Sequence, residues 1–127
     1  MPSLTHLVLI ALAGAVGTLL RAGCTALATK LIGVGFPWGT LAVNVAGSLI
    51  FGLLVGWTRT RETIATGLET ILLIGLMGGF TTFSSYAFQS VEMLTGGRAV
   101  QAVAYVVASN LAALLAVWIG LRIAGGA

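Results

Sequence analysis

Gly78-Gly79-Phe80-Thr81-Thr82-Phe83-Ser84-Ser85-Tyr86 decides how this chain is read. The run lies inside an apolar stretch long enough to cross a bilayer, and it interrupts that stretch with glycines, hydroxyls and rings. An unpaired backbone N–H or C=O in hydrocarbon costs several kcal/mol. A broken membrane helix therefore persists only where protein buries the break or where the break lines a polar cavity. Discontinuous helices near the bilayer midplane are also where transporters hold ions. The run is accordingly the expected site, and the rest of the chain the scaffold that positions it.

Working outward, composition excludes a soluble domain. Mean hydropathy is +1.09, with 58% hydrophobic and 7% charged residues, too little polar surface for a chain in water. At 127 residues the expectation is one all-α integral membrane domain, residues 1–127, of four crossings at about 20 residues each. Residues 1–6 carry no Lys or Arg, and the apolar run 7–20 is long for a signal peptide, so the first span is expected to be retained. The small-residue spacing of Ala11, Ala13 and Ala15 is the feature that favours the opposite reading. Cys24 is the sole cysteine, which excludes intrachain disulfides and cysteine-rich metal sites. The net charge of +3 has no basic cluster behind it beyond Arg59 and Arg61, and these sit beside Glu62; nucleic-acid binding is set aside.

The spans are expected at about 4–31, 38–57, 67–95 and 99–123, the third broken at its centre. Gly33, Gly35 and Pro37 separate the first two, and Thr95-Gly96-Gly97-Arg98 the last two. Trp38, Trp57 and Trp118 fall near span ends, as interfacial anchors do. Positive charge is almost evenly divided: Arg59, Arg61 and Arg122 on one side, Lys30, Arg98 and, depending on depth, Arg21 on the other. The positive-inside rule then selects no orientation. The chain is expected to insert both ways and to form an antiparallel dual-topology homodimer, the two copies supplying the inverted repeat that larger transporters carry in one chain. A single topology imposed by a cellular partner is the alternative.

Polar residues recur on helical faces. Thr40, Asn44 and Ser48 at i, i+4, i+8 share one face of the second span, readable either as interhelical hydrogen bonding or as a pore-lining stripe. Gly52 and Gly56 form a small-residue contact motif. Phe83 and Tyr86 share a face beyond the break, and Thr81, Thr82, Ser84 and Ser85 add hydroxyls that a packing segment does not need. Tyr105 and Ser109 share a face of the fourth span, with Asn110 beside them. Arg21, some fourteen apolar residues into the first span, costs at least about 2.5–3.5 kcal/mol if buried; drawing anions into a vestibule and contacting lipid phosphate are the two roles considered. The sequence contains no Asp, no carboxylate falls at mid-membrane, and the single His is near the terminus. Proton-coupled export and enzymatic catalysis are both disfavoured.

These stretches carry a resemblance. Gly17-Thr18-Leu19-Leu20-Arg21, Gly39-Thr40-Leu41-Ala42-Val43-Asn44-Val45-Ala46-Gly47-Ser48 and Gly75 through Tyr86 resemble the Fluc (CrcB-type) family of microbial fluoride channels, over essentially the whole chain. The resemblance implies a dual-topology homodimer with two fluoride pathways and a central structural sodium ion, and the expected location is a prokaryotic inner (plasma) membrane. It implies Asn44 as a pore amide, Phe83 and Tyr86 as rings beside the ion, and Gly78 and Thr81 as backbone-carbonyl ligands to sodium. Thr40, Tyr105 and Ser109 would form a polar track, with Thr82 and Ser84 at the pathway and Arg21 toward a vestibule. Two departures stand out: Tyr86 where the family more usually has Phe, and Gln89 where many relatives carry Glu.

Physical chemistry agrees with that implication. Fluoride is small and strongly hydrated, so a pore must replace its water with amide N–H, hydroxyl and ring-edge donors. A full positive charge in mid-pore would bind too tightly for release. The competing functional classes are a small multidrug exporter, which needs a carboxylate in the first span, and a small subunit of a larger membrane complex.

Overall fold

The computed structural model describes residues 1–61 and 66–125, all helical or connecting segments with no strand among them. Among the described residues, four helical spans are long and apolar enough to cross a membrane: Leu4–Ile32, Trp38–Arg59, Gly67–Thr95 and Ala99–Gly125. The helices extend the expected spans by one or two residues at several C-terminal ends. Glu62 lies outside the described residues.

Helix α1 (Leu4–Ile32) starts at Ser3, whose Oγ accepts from the His6 N–H at 3.2 Å, and stops at Gly33, where φ is +104°. Helix α2 (Trp38–Arg59) follows Pro37. The third span is composite: α3 (Thr66–Thr70), a π-helical segment (Ile71–Met77), α4 (Gly78–Phe80), two extended residues, and α5 (Phe83–Thr95). A π segment ahead of a break is a recurring mark of functional positions. At the turn into α6 (Ala99–Gly125), Gly97 takes φ +78° and the Arg98 N–H reaches back to Met93 O at 2.8 Å.

Helix α2 lies along α6, α1 lies against the π segment and α4, and α5 packs on α6. Small residues set these approaches, as expected where lipid supplies no hydrophobic drive between helices. A Cβ on Gly17 would sit 2.9 Å from Phe80 N, so α1 can approach the first half of the broken span only without one. The Gly52/Gly56 motif faces α6, and Gly120 answers it from the other side. Little is buried in the usual sense. One cluster joins Val43, Met77 and Phe80, a second joins Met93, Ala102 and Tyr105, and residues such as Leu19, Ile74 and Leu114 point outward, as lipid-facing residues do. Trp57 and Trp118 sit near helix ends under Arg61 and Arg122, whose guanidinium carbons lie 5.3 and 5.5 Å from the ring centroids.

A Cβ at Gly120 would come 2.5 Å from Leu49 O and 2.7 Å from Leu53 N, both backbone atoms that cannot step aside. Gly120→Ala should therefore cost about 1–3 kcal/mol and lower the thermal unfolding temperature in detergent. Gly23→Ala, which meets open space, should leave it unchanged or raise it.

Candidate functional site

Thr81 (φ −89°, ψ 158°) and Thr82 (φ −148°, ψ 108°) are the break, and both are extended. An uninterrupted helix would send the Thr82 N–H to Gly78 O and the Ser85 N–H to Thr81 O. Here Thr82 N donates instead to Asn44 Oδ1 at 2.7 Å, and Ser85 N donates to Thr82 Oγ1 at 3.3 Å. The two carbonyls at Gly78 and Thr81 thereby lose their helical donors. Asn44 also donates from Nδ2 to Thr82 O at 3.0 Å, so its amide pairs with the Thr82 backbone as a neighbouring strand would. Gly79 O, which would have accepted from Phe83 N, accepts from Arg21 Nε at 3.0 Å.

Arg21 thus gives its Nε to a backbone carbonyl at the break. Its guanidinium stabilises the carbonyl end of the first half-helix, where the dipole is negative. At the other side of the break the first-turn N–H groups of α5 present the positive dipole end. Thr82 is the N-cap of α5, and its Oγ1 also donates to Ser85 Oγ at 2.9 Å. Thr81 turns its own N–H and Oγ1 back onto Met77 O, both at 3.0 Å.

Beside the break lies a cavity of about 320 Å³. It brings together Asn44, Phe83, Tyr86 and Ser109 of the expected site, with Ser48, Thr81 and Asn110. Ser48 Oγ donates within its own helix to Asn44 O at 2.6 Å. Ser109 Oγ is buried with no hydrogen-bond partner. Phe83 is 77% exposed in the single chain, its ring 5.4 Å from that of Tyr86. Phe80, which shares the three-residue aromatic spacing, is instead in the core.

Thr40 and Tyr105 stand one layer away from this cavity. Tyr105 is fully buried, its ring 5.4 Å from that of Tyr86, and its hydroxyl donates to Gln89 Oε1 at 2.9 Å. Thr40 and Gln89 line a second cavity of about 210 Å³, together with Thr25, Thr29, Glu92 and Arg98. Polar groups thus continue from the break through the tyrosine layer to a mouth near the α5–α6 turn. Thr82 and Ser84 are not among the residues lining either cavity, and Arg21 is at the break without lining them. Gly78 is exposed, with nothing within 4 Å of where a side chain would be.

Sequence reasoning left Asn110 without a role and treated Gln89 only as a departure. The signal available for Asn110 was a polar side chain on a helix whose neighbours are almost all apolar; Gln89 sits among other polar residues of α5, where no such contrast exists. Among the described residues no three His, Cys, Asp or Glu side chains gather as a metal site.

Comparison with known proteins converges on one family. The family described as CrcB-like protein, Camphor Resistance (CrcB), matches residues 8–121. The chain is 40% identical over 119 residues to a fluoride-specific ion channel FluC of Chelativorans sp. (strain BNC1), covering 94% of this chain and 95% of that one. It is 41% identical to the FluC of Hyphomonas neptunium, over 91% and 92% of the two chains. For the Thermus thermophilus FluC the identity is 38%, over 92% and 93%.

Proposed function

Because the chain belongs to the CrcB-like family, we propose that it is a passive, fluoride-selective ion channel of a bacterial inner membrane. The observation that carries this reading is the broken third span, held open by Asn44 beside a cavity that the unpartnered Ser109 hydroxyl lines. The guest that completes such a site accepts hydrogen bonds and donates none. Asn44 keeps one N–H beyond the one it gives to Thr82, and Ser109 supplies an O–H. Phe83 supplies a ring edge with partial positive charge. No mobile charge carrier is needed: HF crosses lipid, dissociates in the cytoplasm, and the anion leaves down its gradient. A carboxylate-driven exporter is not supported, since Glu69 and Glu92 belong to the two ends of the third span.

The functional unit of this reading is an antiparallel homodimer. Phe83, Ser84 and Gly78 are exposed in one copy, around carbonyls that hydrocarbon would not tolerate. A second copy of the chain would cover them. The Gly78 and Thr81 carbonyls fit a structural sodium ion, because the break removes their helical donors and leaves oxygen of the kind that irregular membrane backbone offers to sodium. When bound, the ion would supply positive charge that holds these carbonyls together.

A ligand present at about 100 times its Kd adds roughly 2.7 kcal/mol to the folded state. Exchange of sodium for N-methylglucamine throughout purification should therefore lower the dimer fraction and its unfolding temperature. An unchanged dimer in the organic cation would remove the sodium assignment and leave the fluoride reading standing. The functional test is growth: a bacterium lacking its own fluoride exporter should grow in fluoride at mildly acidic pH when it makes this chain. Failure to rescue, with the protein present in the membrane, contradicts the proposed function.

A further inference from the structure

The geometry points to Asn110 as a positioning residue that turns the Tyr86 hydroxyl hydrogen toward the ion cavity, making Tyr86 a hydrogen-bond donor to the permeating anion. The inference rests on the fluoride-channel reading and adds to it a residue outside the expected site. Asn110 Nδ2 lies 2.7 Å from Val106 O and 2.8 Å from Tyr86 Oη. A carbonyl oxygen can only accept, so the amide atom facing Val106 must be the nitrogen, which fixes which way the amide is turned. The same nitrogen faces Tyr86 and has no lone pair to offer, so Tyr86 Oη is the acceptor there.

A phenol hydrogen prefers the plane of its ring, on one of two sides. With Asn110 donating on one side, the Tyr86 hydrogen is left for the other. Tyr86 and Ser109 line the same cavity, and the Ser109 hydroxyl is buried without a partner. Two hydroxyl hydrogens without a protein acceptor, in one small cavity, define a place for an acceptor-only guest. A phenylalanine at position 86 would offer its ring edge alone. The Tyr86 and Asn110 pair adds a second kind of donor, and the pair works only as a pair, since a phenol free of Asn110 can turn its hydrogen either way.

The test is a double-mutant cycle on fluoride efflux from liposomes, each protein checked first for homogeneous elution. N110A should slow efflux about three- to tenfold, the range one net hydrogen bond supports. Y86F should slow it by a similar factor. In the Y86F background N110A should then change efflux by less than about twofold, because the hydroxyl it orients is gone. N110L serves where N110A elutes poorly: it keeps the side-chain volume, carries no donor and adds no charge to the cavity that position 110 lines, so its loss should match that of N110A and again be erased by Y86F. Equal losses with and without the Tyr86 hydroxyl would overturn the inference and make Asn110 a packing residue of α6. No efflux from the unmodified protein would instead overturn the channel reading beneath it.

Discussion

Asn44→Ala should abolish both fluoride conduction and normal assembly. The side chain makes two bonds to one backbone residue, accepting from Thr82 N at 2.7 Å and donating to Thr82 O at 3.0 Å. Alanine leaves both groups unmatched in a region that water reaches poorly, at about 1–3 kcal/mol each. The chain has a way to recover part of that loss: the Thr82 N–H can return to Gly78 O and close the helix over the break. Closing it would consume a carbonyl of the proposed cation site and swing Phe83 away from the cavity. Efflux should fall by about 100-fold or more, with a smaller dimer fraction. Asn44→Asp separates the two roles. A protonated Asp can still accept from Thr82 N and donate to Thr82 O, but in neither protonation state does it keep the second N–H. It should assemble and conduct poorly. If Asn44→Ala assembles and conducts normally, the clamp has no function.

Phe83→Ile should lose conduction while leaving the fold intact, a different pattern from the Asn44 result. The ring is 77% exposed in the single chain, so trimming it removes little packing within that chain. Its neighbours at the cavity are the Tyr86 ring and polar groups around the break. Isoleucine has comparable bulk but no ring quadrupole, so the partial positive edge facing an anion disappears. The expected effect is a drop in fluoride efflux of about 10- to 100-fold, the equivalent of losing roughly 1.4–2.8 kcal/mol of stabilisation at the one ring position removed. Thermal unfolding should shift little. A large stability loss with residual conduction would instead make Phe83 a packing residue between copies.

The architecture was largely legible from hydropathy and from the interrupted third span. Span ends were placed to within a few residues because Pro37, Gly33 and Gly97 punctuate them. Spacing also put Phe83 with Tyr86, and Tyr105 with Ser109, on common faces. It could not say what each face meets. Thr40, Asn44 and Ser48 share a face but have three different roles: Thr40 at the second cavity, Asn44 on the Thr82 backbone, Ser48 bonded within α2. Which residue a stripe touches depends on tertiary packing, which periodicity does not encode. Arg21 was a cost without a visible remedy, because its partner is a backbone carbonyl 58 positions away that becomes available only when the third span breaks. Asn110 was invisible for a similar reason: it acts through a hydroxyl on another helix.

Passive fluoride efflux from liposomes holding the purified protein tests the central claim most directly, with chloride measured in parallel and a potassium ionophore present to clamp the voltage. The account predicts rapid fluoride loss with chloride retained, and loss of that efflux in Phe83→Ile. Equal release of both anions, or release of neither from a well-folded dimer, would contradict it.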